Sequence, residues 1–342
     1  MPKVSIIIPA FNSADTIVEA LESVKAQTYT DYEVIVVDDA STDNTVEVVE
    51  AWLGTSETTG TWRLLRQAQN TGPAAARNRG IQESCGEWLA FLDSDDIWLS
   101  GKLELQMQLV VRQPAVALWC GEYIDFVDKA ELSGCQDATL LNKDHLCQPG
   151  TTQQIDNLKT EDLRAVKLED FARGNPIGCA TVLVRRETLA AAGGFDEQFR
   201  GPEDYDLWMR VAALPTLCVG QLTSRSVVFC AIPVTLHRIR QGSLSMEDRT
   251  FLPQVMRVLD KAFSAGGALE KLQHVRREAV SSQYWNASWM AYSRGARWTA
   301  LLLVWKAWRL HWQAGCAMRR PWVKRMCRYV LGGEASVQRR TV

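Results

Sequence analysis

Val4-Ser5-Ile6-Ile7-Ile8-Pro9-Ala10-Phe11-Asn12 is the stretch that decides the fold. A β-branched run from Val4 to Ile8 that halts at a proline reads as a strand buried on both faces, as in a parallel sheet. The next segment, Ser13 to Gln27, carries Ile17, Ala20, Leu21 and Val24 at helical spacing. Glu33 to Val37 repeats the strand pattern and stops at Asp38-Asp39. Thr42 to Trp52 repeats the helix, with Thr42 or Asp43 as its cap. Trp62 to Arg66, Gly72 to Glu83 and Trp88 to Leu92 continue as strand, helix and strand. This alternation predicts a doubly wound α/β fold. Ligands of such folds bind beyond the carboxyl ends of the strands. The order therefore gathers Pro9 to Asn12, Asp38 to Ser41 and Asp93 to Asp96 at one cleft.

The 342 residues suffice for one large domain or two moderate ones. A formal net charge of -2 gives no reason to expect nucleic acid as a partner. The 9 cysteines, an odd number without a C-x-x-C pair, argue against a disulfide framework or zinc site and for reduced thiols in a cytosolic protein. The N-terminus has one Lys and a short apolar run, without the apolar length or cleavage site of a secretory signal. No apolar stretch approaches the roughly 18 to 20 residues of a membrane span, and the longest, Trp298 to Trp305, falls far short. The expected location is the cytoplasm, with peripheral contact at the cytoplasmic face of the membrane.

Residues 121–168 are polar and lose periodicity, so they read as an irregular excursion that lines the acceptor side or is disordered in part. Regular structure is expected again as a helix over Leu168 to Arg173, a strand over Cys179 to Arg185, and helices over Glu187 to Ala192 and Glu203 to Ala213. A strand pair is expected within Leu217 to Leu236, and helix throughout from Phe251 onward. The domain reading is thus 1–250 for the α/β region and 251–342 for a helical C-terminal tail. The tail is rich in Trp, with Trp285, Trp289, Trp298, Trp305, Trp308, Trp312 and Trp322. From Arg294 on, eleven Lys and Arg stand against one acid, Glu334, a net of +10 inside a chain of net -2. Indoles interleaved with basic residues suit an interfacial amphipathic helix. The alternative is a helical hairpin that buries its Trp residues in its own core.

Asp93-Ser94-Asp95-Asp96 directly follows the apolar strand Trp88 to Leu92. Carboxylates this close repel one another, and a bound cation relieves the repulsion. Mg²⁺ and Mn²⁺ favour carboxylate oxygens and leave places for phosphate. The structural alternative is that these acids cap a helix starting near Ile97.

Here the chain resembles a family 2 glycosyltransferase, inverting and of the bacterial polysaccharide type. The matching pieces, in order, are Val4 to Asn12, Val34 to Asp43, Asn70 to Gly80 and the Asp-Ser-Asp of Asp93 to Asp95, then Gly193 to Glu197 and Glu203 to Trp208. Asp-x-Asp alone is a weak signal, but the ordered set, spread over residues 2 to 245, is specific. The resemblance implies a GT-A, Rossmann-like nucleotide-diphospho-sugar transferase fold with a mixed central sheet. It implies a nucleotide-sugar donor, a UDP-sugar, and a saccharide or lipid-linked saccharide acceptor in cell-surface polysaccharide biosynthesis, with Mg²⁺ or Mn²⁺ as cofactor. By the same resemblance Pro9, Ala10 and Asn12 contact base and ribose, and Asp39 accepts from N3 of uracil or thymine, which suits an acceptor-only carboxylate. Gly72 and Arg77, at the opening of the third helix, suit a diphosphate. Alternatively Arg77 and Arg79 pair with the acidic cluster. Asp93 matches the donor-sugar or ribose acid and Asp95 the metal ligand. Glu203 and Asp204 match the catalytic acids, with Asp204 as the base that takes the acceptor proton. Their alternative role is to favour a helix N-terminus.

One segment departs from the family. Members often carry Tyr-Arg-x-His after the last strand, whereas this chain reads His237-Arg238-Ile239-Arg240. Arg240 at the His position has no lone pair for a cation, but it suits a diphosphate. Two further readings share some features. A nucleotidyltransferase usually shows a Gly-rich basic loop where this chain has Pro9-Ala10-Phe11-Asn12. A non-catalytic nucleotide-sugar-binding or scaffold protein is opposed by the intact Asp93, Asp95 and Asp204.

Overall fold

The computed structural model describes residues 2–55, 57–58, 60–127, 159–215, 227–240 and 248–313. The chain divides into two compact units. The first is Met1–Val166, Ile177–Arg200 and Leu214–Ile239, and the second is Lys167–Pro176, Gly201–Ala213 and Arg240–Val342.

The first unit is built on a mixed sheet. Its start follows the sequence pattern closely: β1 (Val4–Ala10), α1 (Ile17–Lys25), β2 (Tyr32–Asp38), α2 (Thr45–Thr55), β3 (Thr61–Arg66), α3 (Pro73–Glu83) and β4 (Trp88–Phe91). β5 (Ile97–Trp98), α4 (Lys102–Arg112), β6 (Leu118–Phe126), β7 (Leu163–Ala165), β8 (Leu183–Arg185), α5 (Arg186–Ala192) and β9 (Val227–Arg238) complete it. The sheet order is β3-β2-β1-β4-β8-β6-β9-β5, with β7 also on β9. β3, β2, β1 and β4 are parallel neighbours, and the sheet turns antiparallel at β8.

β1 is central, and all seven of its residues are buried. Each buried Ile contributes about 1.5–3 kcal/mol by leaving water. Pro9 is tolerated because the β1–β4 ladder ends at Ile7 and Phe91, so Pro9 lies beyond it. Helix α3 sits against β1 so closely that a Cβ on Gly80 would lie 2.5 Å from Ile7 Cγ2.

Several local expectations change. No helix begins at Ile97. Ile97 and Trp98 pair antiparallel with Leu236 and Thr235, and α4 begins only at Lys102. The acids therefore do not cap a helix there. Cys179–Thr181 forms a 3-10 turn rather than the first half of a strand. β6 extends regular structure to Phe126 inside the segment expected to be irregular, of which residues 128–158 lie outside the described residues. Of the strand pair expected over Leu217 to Leu236, residues 216–226 also lie outside them. The rest is the single long strand β9.

The second unit is helical. It holds the 3-10 turn Leu168–Arg173, α6 (Glu203–Ala213), α7 (Asp248–Phe263), the 3-10 turn Glu270–Val275, α8 (Arg276–Ser293) and α9 (Arg297–Gln313). Ala287 and Ala291 of α8 pack on Ala300, Leu303 and Val304 of α9. Ser281 Oγ donates to the carbonyl of Ala307 at 2.8 Å. Trp322 and the basic residues from Arg319 on lie outside the described residues. The described cysteines Cys85, Cys120, Cys179 and Cys230 are free thiols. Among the described residues no helix is long and apolar enough to cross a membrane.

Candidate active site

The carboxyl ends of β1 and β2 are laced together by side chains. Asn12 takes a positive φ of 49°, as Asn tolerates. Its Oδ1 accepts from the Thr42 N–H at 2.8 Å and the Asp43 N–H at 3.3 Å, and its own N–H donates to Ser41 Oγ at 2.9 Å. Asp43 caps α2 by accepting from the Thr45 N–H at 3.0 Å. Pro9 and Ala10 are buried at the end of β1, where the Asp39 N–H reaches the carbonyl of Ala10 at 2.8 Å.

Asp39 is the node of this end. Only 3% exposed, it accepts from Gln67 Nε2 at 2.7 Å, the Thr71 N–H at 2.9 Å and Thr71 Oγ1 at 3.2 Å through Oδ1. Its Oδ2 accepts from the Gly72 N–H at 2.7 Å. A bond to a charged group contributes about 1.5–3 kcal/mol, so this carboxylate fixes the entry to α3. Gly72, the residue before α3, has φ 94°, which favours glycine. Gln67 and Thr71 carry no motif of their own and were not foreseen as partners of Asp39.

The three acids of the turn after β4 serve three purposes. Arg77, buried on α3, donates from Nη2 to Asp93 Oδ1 at 2.6 Å, and its guanidinium lies over the Phe195 ring at 5.4 Å. The pairing foreseen for Arg77 is present, while Arg79 pairs instead with Glu83. Asp96 points inward and is 3% exposed. Its Oδ1 accepts from the Arg238 N–H at 3.0 Å. Burial foremost, with Asp93 and Asp95 adding, pushes its pKa up to about 8. Asp95 stays half-buried. Arg238 threads the turn: Nε donates to the Asp95 carbonyl at 2.7 Å, Nη2 bonds Glu19, and the guanidinium covers Phe126 at 4.6 Å. Ser13 and Ser94 hydroxyls, 2.7 Å apart, tie the turn to the β1 end. His237 Nδ1 meets Asp125 Oδ1 at 2.8 Å. Burial opposes its charged form, but Asp96 and Asp125 outweigh that and push its pKa up to about 9.

Asp93 and Asp95 offer the hard oxygen donors that Mg²⁺ or Mn²⁺ prefer. Among the described residues no three His, Cys, Asp or Glu side chains converge as a cage. The donor set therefore fits a cation held by one or two carboxylates with phosphate oxygens and water, the usual way Mg²⁺ is bound. Arg238 and Asp96 hold that turn in shape, a pairing across 142 residues that was not foreseen.

Glu203, Asp204 and Arg240 belong to the second unit. Glu203 is buried, and its Oε2 accepts from the Gly201 N–H at 2.6 Å. Asp204 is half-buried. It accepts from Asn175 Nδ2 at 2.9 Å and from the Tyr205 N–H at 2.7 Å. Tyr205 donates to the Phe171 carbonyl, which anchors α6 on the preceding 3-10 turn. Asp206 turns away to Arg210 at 2.7 Å and Lys261 at 2.8 Å. Of the acids in this turn, Asp204 is the one left at the surface. Asn175, which orients it, lies far away in sequence and was not foreseen. Arg240 is half-buried.

A buried parallel β-α-β frame with acids gathered at its carboxyl end is the arrangement of nucleotide-binding α/β proteins. The profile of Glycosyl transferase family 2 matches residues 5–163. The succinoglycan biosynthesis protein ExoO of Rhizobium meliloti (strain 1021) is 31% identical, with 82% of this chain and 76% of that protein aligned. UDP-Glc:alpha-D-GlcNAc-diphosphoundecaprenol beta-1,3-glucosyltransferase WfgD of Escherichia coli is 28% identical over 71% of this chain and 79% of its own. Mannosyltransferase PcManGT from Pyrobaculum calidifontis, solved in complex with GDP-Man and Mn²⁺, superposes with a TM-score of 0.58 at 19% identity, covering 96% of this chain and 85% of that one. The chain belongs to glycosyltransferase family 2. It is a glycosyltransferase of GT-A fold with a helical C-terminal region.

Proposed function

We propose that this enzyme moves a sugar from a UDP-sugar to a hydroxyl of a lipid-linked saccharide, with inversion, in building a bacterial surface polysaccharide. The observation that supports the reading is the pair of carboxylate anchors at the start of α3, Asp39 on Gly72 and Asp93 on Arg77, at the sheet's carboxyl end. The name of WfgD, which carries alpha-D-GlcNAc-diphosphoundecaprenol, supports the acceptor class, and that of ExoO, a succinoglycan biosynthesis protein, supports polysaccharide synthesis.

Asp39 Oδ2 holds one N–H donor and keeps a lone pair for the N3–H of uracil. Pro9, Ala10 and Asn12 shape the base and ribose side. Asp93 faces the donor's sugar and phosphates, and Arg77, buried behind it, holds it in place. Asp95, with Asp93, would hold Mg²⁺ or Mn²⁺, which supplies charge neutralisation for the leaving diphosphate. Arg240 adds a cation for the same phosphates. Asp204, set by Asn175, accepts the proton of the attacking hydroxyl, and Glu203 keeps the start of α6 in place. Residues 1–250 form the catalytic part in this reading, and the basic, Trp-rich 251–342 region gives peripheral contact at the cytoplasmic membrane face.

Calorimetric titration of UDP with and without Mn²⁺ tests it. Asp95→Ala is expected to lose at least about tenfold in Mn²⁺-dependent affinity. Equal UDP binding by wild type and variant, with metal making no difference, refutes the metal assignment. Inverted product from a UDP-sugar and a diphosphate-linked lipid acceptor, abolished in Asp204→Asn, is the expected activity result.

A further inference from the structure

We propose that the outward face of α9 is the surface by which the chain docks on anionic lipid. The proposal rests on the reading of the C-terminal region as membrane-facing and deepens it by naming the residues.

Helix α9 is apolar on two opposite faces. Its inner face, Ala300, Leu303, Val304 and Ala307, is buried and packs against α8. Its outer face carries Trp298, Leu302 and Trp305, spaced four and three residues apart and hence on one stripe. These are 86%, 50% and 49% exposed. Large exposed hydrophobic side chains in a row mark a contact surface. The same helix bears Arg297, Lys306 and Arg309, all exposed, and no acid. The Arg309 guanidinium lies over the Trp305 ring at 5.7 Å, so charge and indole share one patch.

This chemistry selects the occupant. A second copy of the face would set Arg309, with Lys306 at its flank, against the same cations. An anionic headgroup layer offers charge for the basic side chains and an interface for the indoles. With 17 residues and three charges the helix lies in the interface rather than crossing it.

The test is sedimentation of the full chain with vesicles of phosphatidylcholine, with and without phosphatidylglycerol. Trp298→Ser/Trp305→Ser and Arg297→Glu/Lys306→Glu/Arg309→Glu are compared with wild type. Thermal melts and UDP calorimetry confirm that each variant is folded. Wild type is expected to prefer the anionic vesicles by on the order of 10- to 100-fold, from about fivefold per basic residue near the surface. Both variants are expected to lose most of that binding with unchanged melts. Variants that bind vesicles as wild type does overturn the proposal while leaving a membrane contact elsewhere on the chain. Wild type that binds no vesicle overturns both the proposal and the membrane reading, with UDP binding still reporting on the donor site. Wild type that self-associates in the ultracentrifuge, and variants that do not, would assign the face to a second copy and overturn it as well.

Discussion

β1 and α9 are both apolar on two sides, yet they end differently. β1 sets Ile6 and Ile8 in one cluster with Ile17, Ala20 and Leu21 of α1 and Ile7 against Gly80 of α3, so both its faces are covered, whereas α9 covers one side on α8 and shows two indoles to solvent. An element apolar on both sides needs two partners. Where the described residues supply only one, the surplus is left exposed for a further partner.

Substitutions break this comparison in order of size. Ile7→Ala, which empties a site with no solvent access, is expected to cost about 2–5 kcal/mol in chemical denaturation. Gly80→Ala pushes a methyl into that same Ile7, and overpacking there is expected to cost about 1–3 kcal/mol. Joined with Ile7→Ala it should cost less than the sum, because the clash is removed. Additive costs would mean that α3 and β1 do not meet as described.

Lys102 sharpens the contrast from within the core. It is 1% exposed, gives its Nζ protons to Gln106 Oε1 at 2.8 Å and the Val182 carbonyl at 3.3 Å, and lies 4.1 Å over the Trp98 ring. Burial holds its pKa well below the usual lysine range. The unfolded chain then binds a proton that the folded chain lacks, so stability rises with pH from the depressed folded pKa up to about 10.4. Stability curves from pH 6 to 9 are expected to climb by up to about 1.4 kcal/mol per unit for wild type relative to Lys102→Met. Parallel curves would mean that Lys102 stays charged. At the small end, Trp298→Ser is expected to move folding stability by no more than about 0.5 kcal/mol, since the indole is 86% exposed. A larger loss would place that indole in a core.

The β-α-β start was legible because buried strands and amphipathic helices announce themselves over short windows, and β1, β2 and α3 lie within a few residues of expectation. Two groups of features were not legible. One is local ambiguity: Cys179 to Val184 is apolar but for Thr181, and a 3-10 turn followed by a short strand has no distinct period. The other is long range. The donors to Asp39 come from Gln67, Thr71 and Gly72, the N–H on Asp96 comes from Arg238, and Asn175 sets Asp204. Such partners are joined only by topology. The candidate acids themselves were readable as types. Their division of labour, with Asp96 inward and Asp93 on Arg77, was not.

Helix α3 has one more consequence. Gly72 at its cap is pinned by Asp39, and Arg77 five positions on is pinned by Asp93. At about 1.5 Å of rise per residue the helix acts as a ruler of about 7.5 Å between the two anchors. Adding or deleting one residue within it would swing Arg77 by about 100° as well as shift it, since a turn takes 3.6 residues. The spacing between the two carboxylate anchors is therefore written into the count of residues from Gly72 to Arg77.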